Sequence, residues 1–190
     1  QWGFCTPDKK VVIQPKYDEA WPFREDLARV ELNGKYGFID RTGREIVPPK
    51  YDDAWSFSEG LARVGIGKRQ GFFIGKYGFI DRTGREIVPP KYDWARAFSE
   101  GLAVVGLNGK YGFIDQTGRE VVPPKYDEVW DFSKGLAQVK LNGKYGFIDR
   151  TGREVVPPKY DEVRDFREDL ALVGIGEWQE FRFIGKWGFI

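Results

Sequence analysis

One string, GKYGFIDRTGREIVPPKYD, begins at Gly34 and again without change at Gly75. It returns with small changes at Gly109 and Gly143, in degraded form from Gln1, and its first residues recur at Gly185–Ile190. The chain is therefore one small module written five times, with the opening of a sixth. A module of this size cannot bury its apolar face alone, so neighbouring copies must supply the core. Near-identical copies are also poor material for one asymmetric catalytic pocket and good material for a long surface.

The glycine of each Tyr/Trp-Gly-Phe element marks the register at Gly3, Gly37, Gly78, Gly112, Gly146 and Gly188, with spacings of 34, 41, 34, 34 and 42. The two long spacings come from insertions, GIGKRQGFFI after Val64 and GIGEWQEFRFI after Val173. The modules run 1–33, 34–74, 75–108, 109–142 and 143–184, with a partial one at 185–190, and the chain reads as a single repeat array. A 34-residue period also suits tetratricopeptide helices. The Pro-Pro pair, the Thr-Gly and the frequent Asn-Gly of each module leave no gap long enough for two helices.

The runs between these breakers are rich in Val, Ile, Tyr and Phe, which is strand chemistry. In Lys35–Asp40 the residues alternate, with Tyr36 and Phe38 on one face and Gly37 and Ile39 on the other. Asp40–Gly43 is a turn, Arg44–Val47 the return strand, and Pro48-Pro49 is expected to end its ladder. Leu61–Val64 is a third strand, and its counterparts run into Asn-Gly, the strongest two-residue hairpin signal. The predicted fold is all-β: five three-stranded antiparallel meander repeats of about 34 residues.

The string Gly-Lys-Trp-Gly-Phe-Ile at 185–190, with Pro-Pro-Lys-Tyr-Asp and Phe-Ser-Glu-Gly-Leu-Ala in the complete modules, resembles the WG repeat, also called KWG. The resemblance covers the whole chain. The naming tryptophan survives at Trp2 and Trp187 and is Tyr36, Tyr77, Tyr111 and Tyr145 in between. The resemblance implies a bacterial β-repeat and carries over no catalytic residues.

Two architectures accept such modules, an open solenoid or superhelix and a closed five-bladed propeller-like ring. The Tyr/Trp-Gly-Phe strand occurs six times and the other two strands five times each. That surplus, and three clear strands where a propeller blade has four, favour the open array.

Catalysis finds little support. The chain has no histidine, the commonest general base and metal ligand. Its one cysteine, Cys5, sits in the degraded module and reads as a small strand residue. The Asp40, Asp81, Asp115 and Asp149 turns interleave carboxylates with arginine, which suits turn capping better than calcium. No catalytic residue, metal site or cofactor is expected. The turn arginines, Arg41 and Arg44 among them, are expected to pair with glutamates such as Glu45 next door, with polyanion binding the lesser reading. With Lys plus Arg at 30 and Asp plus Glu at 29, no nucleic-acid partner is expected.

The interaction candidates are one register position, read as Trp21, Trp55, Arg96, Trp130 and Arg164, and the insertions, with Lys68 and Arg69 in one and Trp178 and Phe181 in the other. Trp and Arg are both long, flat and able to stack. The variable positions, including Arg29/Arg63/Val104/Gln138/Leu172, read as surface free of stacking duties.

The expected function is a structural or interaction module whose partner is protein, above all a second copy, joined head to tail by strand ends carrying Trp2 and Phe4 at one terminus and Trp187 and Phe189 at the other. The alternative is a carbohydrate-binding cell-envelope module using the exposed Trp row. No stretch approaches the ~20 apolar residues of a membrane span. A chain opening at Gln1 without any methionine is expected to be processed or truncated, and an extracellular or envelope location is weakly favoured.

Overall fold

A computed structural model describes residues 1–70, 72–167, 170–180 and 182–190, and the side chains of all of these except 69, 70, 72 and 165–167. The described residues form strands and turns without a helix. They fall into two compact units, residues 1–108 with 114–119, and residues 109–113 with 120–190. Both are built from small antiparallel sheets of one repeating plan, none closed into a barrel.

The complete sheet carries four strands. In the second sheet they are Glu19–Ala20, Ala28–Leu32, Lys35–Ile39 and Glu45–Tyr51, each beside the next. The third repeats this with Asp53–Ala54, Leu61–Gln70, Phe72–Asp81 and Glu86–Tyr92, and the fifth with Glu128–Val129, Leu136–Leu141, Lys144–Asp149 and Glu154–Tyr160. The division between the units runs through the fourth group, Trp94–Ala95, Leu102–Leu107, Lys110–Asp115 and Glu120–Tyr126. The first sheet has two strands, Trp2–Cys5 and Val11–Tyr17. The sixth has three, Glu162–Arg167, Leu170–Gln179 and Arg182–Phe189.

The three long strands are those expected from the residues. The two-residue edge strand is an addition, hidden because two residues carry no periodicity. Each sheet also straddles the sequence modules: the Leu-Ala strand of one copy pairs with the Tyr-Gly-Phe strand of the next, from Ala28↔Ile39 to Leu32↔Lys35. The joining turn is the expected Asn-Gly hairpin, with Asn33 and Gly34 both left-handed at φ 52° and 72°. A second tight turn joins the edge strand to the Leu-Ala strand. There Glu59 and Gly60 are left-handed, and Ser58 and Leu61 exchange backbone hydrogen bonds. In the first insertion the strands simply lengthen, and pairing runs from Leu61↔Asp81 to Gln70↔Phe72.

Alternation gives each sheet two unlike faces. Leu27, Tyr36, Phe38, Val47 and Tyr51 form the bulky face of the second sheet. They pack on Ala54, Ala62, Val64 and Ile80, the smaller face of the third. The same pattern joins the first sheet (Ile13, Tyr17) to Ala28, Val30 and Ile39 of the second. In the other unit Phe147 of the fifth sheet packs with Val163, Ala171 and Val173 of the sixth. The core thus lies between consecutive sheets, as a module too small to enclose one requires. Edge-to-face pairs such as Phe38–Phe57, with centroids 4.9 Å apart, add directional contact across these layers.

Polar clamps reinforce the stack. The Asp52 carboxylate takes the Lys35 ammonium from one sheet and the Gly67 amide, at 3.0 Å, from the next. Asp161 does the same with Lys144 and Gly176. The Tyr51 hydroxyl donates to Glu86 Oε1 at 3.0 Å, and burial followed by this bond pushes its phenol pKa upward. The Tyr17 hydroxyl is buried and makes no hydrogen bond.

Pro48-Pro49 does not end its strand. Pairing passes from Phe38↔Val47 to Tyr36↔Tyr51, so the prolines sit in a bulge that needs no donor. The bulge folds over Gly37, where a Cβ would lie 2.4 Å from the Val47 carbonyl oxygen and 2.7 Å from the Pro49 nitrogen. Gly78 meets Val88 and Pro90 in the same way, at 2.3 and 2.7 Å. Gly188, in the sixth sheet, has nothing within 4 Å.

Two paired outcomes follow, both read by urea denaturation. Gly78→Ala should cost about 1–3 kcal/mol through overpacking against backbone, and Gly188→Ala should stay within about 0.5 kcal/mol of the parent. Tyr51→Phe should cost about 1–2 kcal/mol by stripping Glu86 of its donor, whereas Tyr17→Phe should be neutral or stabilising, since it removes an unpaired buried hydroxyl.

Candidate functional site

The register position read from sequence falls just after the two-residue edge strand. Trp21 is half-buried against the core, and the Arg29 guanidinium lies 3.6 Å from its ring centroid. Trp55 is 53% exposed, with Arg63 at 4.6 Å. Arg96 lies over Trp94 at 5.1 Å and Arg164 over Trp187 at 5.1 Å. Trp130 is 36% exposed and tilts against Tyr145, centroids 5.9 Å apart.

Arg29 and Arg63 are the residues that sequence reasoning misplaced. Their register position is not free surface. Arg29 shares the bulky face with Leu27, Tyr36 and Phe38, lies over Trp21 with Tyr36 beside it, and its Nη1 donates to the Ala54 carbonyl of the next sheet at 2.5 Å. Arg63 lies between Trp55 and Tyr77, both near 4.7 Å, and donates to the Ala95 carbonyl. Its Nη2 is 4.0 Å from Asp53, a buried carboxylate. Neither Nε makes a hydrogen bond. Burial pushes both guanidinium pKa values down, opposed by the nearby tyrosine and by Asp53. The alternation that placed Tyr36 and Phe38 on one face also holds the signal, because Leu27 and Arg29 are two residues apart on the paired strand.

In the second unit the same position is Gln138, and a cavity of about 670 Å³ lies beside it. Trp130, Tyr145, Glu162, Arg164, Leu172 and Phe189 contribute to its lining. The Trp178 indole donates to Glu162 Oε2 at 3.0 Å. Phe181 lies outside the described residues, as does the side chain of Arg69; Lys68 is exposed on its lengthened strand.

At the strand ends Trp2 pairs with Tyr17 and is exposed, while Phe4 pairs with Ile13 and packs on Phe23, centroids 4.8 Å apart. Phe189 is 70% exposed, against 0% for Phe38 at the equivalent position. Trp187 is 38% exposed, against 6% for Tyr36.

The turn arginines are engaged, though not by the adjacent glutamates. Arg85, Arg119 and Arg153 reach back to Asp81, Asp115 and Asp149 of their own turns at 3.0–3.1 Å. Arg82 meets Glu25 and Asp26. The glutamates turn elsewhere: Glu45 takes Lys16, Glu86 takes Tyr51. Each Asp caps its turn as expected. Asp149 Oδ1 accepts from Thr151 Oγ1 at 2.6 Å, the Thr151 amide at 2.9 Å and the Arg153 amide at 3.1 Å. Among the described residues no group of three or more His, Cys, Asp or Glu could hold a metal ion, and no helix is long and apolar enough to cross a membrane.

The family described as WG containing repeat matches residues 2–36, 36–69, 77–111, 111–145 and 145–177. No curated protein matches the chain. Among solved structures it is similar to Kluyveromyces lactis Hsv2, at 13% identity and TM-score 0.42, over 80% of this chain and 54% of that one. A form of Hsv2 with its complete loop 6CD gives 13% and 0.41, over 80% and 53%. The extracellular domain of a putative hybrid two-component system from B. thetaiotaomicron gives 10% and 0.38, over 85% and 26%. The chain thus spans about half of Hsv2, and scores this low carry no argument about function.

The turn caps set an acid limit. The Thr151 hydroxyl, with the Thr151 and Arg153 amides, lowers the Asp149 pKa from 3.8 to about 2. A carboxylate depressed on folding stabilises the fold above its unfolded pKa and loses that contribution as pH falls through the folded value. Asp149→Asn should therefore lower the urea midpoint at neutral pH, and the gap from the parent should close between about pH 4 and pH 2.

Proposed function

The chain belongs to the family of WG containing repeats, and from that premise we propose that it is a non-catalytic interaction module that associates with copies of itself end to end. The observation that carries this reading is the packing itself: each sheet lays a bulky face on the smaller face of the next, in both units, so the contact is head-to-tail and has the same form wherever two sheets meet. The Arg182–Phe189 strand of the sixth sheet occupies the place that Lys35–Ile39 holds in the second, and it carries Trp187 and Phe189. A strand edge with apolar side chains beside it is a template for another strand.

A second reading, recognition of a sugar face, draws on the exposed rings of Trp55 and Trp130. It is the weaker for Trp55, whose ring already carries Arg63.

Light scattering across a wide concentration range tests the first reading. The weight-average mass should rise with concentration, and Phe189→Pro, which removes an N–H directed away from the Leu170–Gln179 strand, should hold the chain monomeric. A constant monomer mass for the parent chain would exclude end-to-end association. Glycan binding that is lost in Trp130→Ala would favour the second reading.

A further inference from the structure

The first unit contains two filled copies of a site whose third copy, in the second unit, is vacant. In the filled copies a guanidinium lies against both a tryptophan and a tyrosine and donates to the carbonyl of the next edge strand. The sets are Trp21, Tyr36 and Ala54 around Arg29, and Trp55, Tyr77 and Ala95 around Arg63. The third set is Trp130, Tyr145 and Val163. Its ring pair has the geometry of the first: centroids 5.9 Å apart in both, interplanar angles of 47° and 42°. Val163 pairs with Val173 as Ala54 pairs with Val64, so its carbonyl has the same register on the same edge strand.

Gln138 replaces the arginine. Its side chain is two heavy atoms smaller and stops short of the next sheet's carbonyl, and beside it opens a cavity of about 670 Å³, within the range of small-ligand sites, lined on its far side by Leu170, Leu172 and Phe189 of the sixth sheet. Two charged groups line it. Glu162 stands where Asp53 stands beside Arg29 and Trp94 beside Arg63, so it adds a carboxylate. Arg164 stands where Arg96 stands in the Arg63 copy, so a neighbouring guanidinium does not prevent occupancy there; its own charge lies over Trp187. Lys140 lies 5.0 Å from the Tyr145 ring centroid, and Glu128 pairs with it at 2.9 Å. Trp130, Val163 and Glu162 line the space beside Gln138, and of the Glu162 carboxylate Oε2 already accepts from the Trp178 indole, which leaves Oε1.

We propose that this cavity is a guanidinium-binding site, which takes an arginine side chain or a small guanidino compound in the place that Arg29 and Arg63 fill in their own sheets. Planar stacking on tryptophan with a hydrogen bond to a carbonyl suits a guanidinium and not a compact ammonium. The cavity shares Phe189 with the edge proposed for end-to-end association, so its test uses monomer conditions, under which loss of association and loss of guanidinium binding are read separately.

The full chain is titrated with Nα-acetyl-arginine amide, free L-arginine and Nα-acetyl-lysine amide, by calorimetry and by the shift of the Trp130 indole proton resonance. The acetylated arginine should bind saturably at one site and move that resonance, and the lysine compound should bind more weakly. Gln138→Arg should fill the site from within and abolish binding while retaining or raising the melting temperature. Trp130→Ala should weaken binding about tenfold, the size of a desolvated cation–π contact. Should Gln138→Arg fail to fold, Glu162→Gln serves in its place and should also weaken binding. Equal binding of free arginine identifies a guanidino metabolite as a sufficient ligand, and binding confined to the blocked form identifies an arginine within a peptide. Absence of saturable binding, or affinity unchanged in Gln138→Arg and Glu162→Gln, would overturn the proposal.

Discussion

Everything in this chain depends on the packing of a bulky sheet face on a small one. Tyr36, Phe38 and Tyr51 project from one side of a sheet, while Ala54, Ala62 and Val64 line the facing side of the next. The two faces are unlike, so a sheet cannot satisfy both with itself. The large side needs a small side ahead, and the small side needs a large side behind. Close packing of this kind is intolerant of voids and of excess volume, which accounts for the near-identity of the buried positions from copy to copy. The clamps follow the same logic. Asp52 holds Lys35 of its own sheet and Gly67 of the next, so the Lys of Gly-Lys-Tyr and the Asp of Lys-Tyr-Asp recur together as two ends of one inter-sheet contact.

The same constraint holds within a sheet. The Gly of Tyr-Gly-Phe accommodates a proline bulge that presses within 2.4 Å of where its Cβ would be. The bulge in turn covers the Tyr-Gly-Phe strand, so the glycine, the bulge and the buried rings beside them form one contact, and a change in any of them is felt by the others.

Much of this was legible in the residues. Alternation placed Tyr36 with Phe38, Asn-Gly marked the hairpins, and the Asp-x-Thr-Gly pattern identified the capped turns. Three features were not. The edge strand Glu19–Ala20 is too short to show a period. The Pro-Pro pair reads locally as a terminator, yet a bulge with nothing to donate can still lie within a strand. The third is the arginine position. Arg29, Arg63, Val104, Gln138 and Leu172 vary between copies, and variation reads as exposure, whereas Arg29 is packed on Trp21 and bonded to the next sheet. What decides exposure is the face on which the residue stands, and face can be counted along the strand where variability cannot.

That distinction bears on how a repeat array acquires specificity. Positions on the open surface can change at little cost and therefore carry little geometry. Positions in the fully packed layers hold geometry but cannot change. The arginine site lies between these cases: its walls are set by rings and a backbone carbonyl that the fold already holds, and its occupant is a single side chain. Exchanging that side chain for a shorter one, as Gln138 stands for Arg29, leaves the walls in place beside a cavity that is already there. Binding to such a space has little ordering cost, because the scaffold holds the aromatic and polar groups whether or not the space is filled. A chain made of copies thus carries its own template for the ligand, in the neighbouring sheets where the arginine remains.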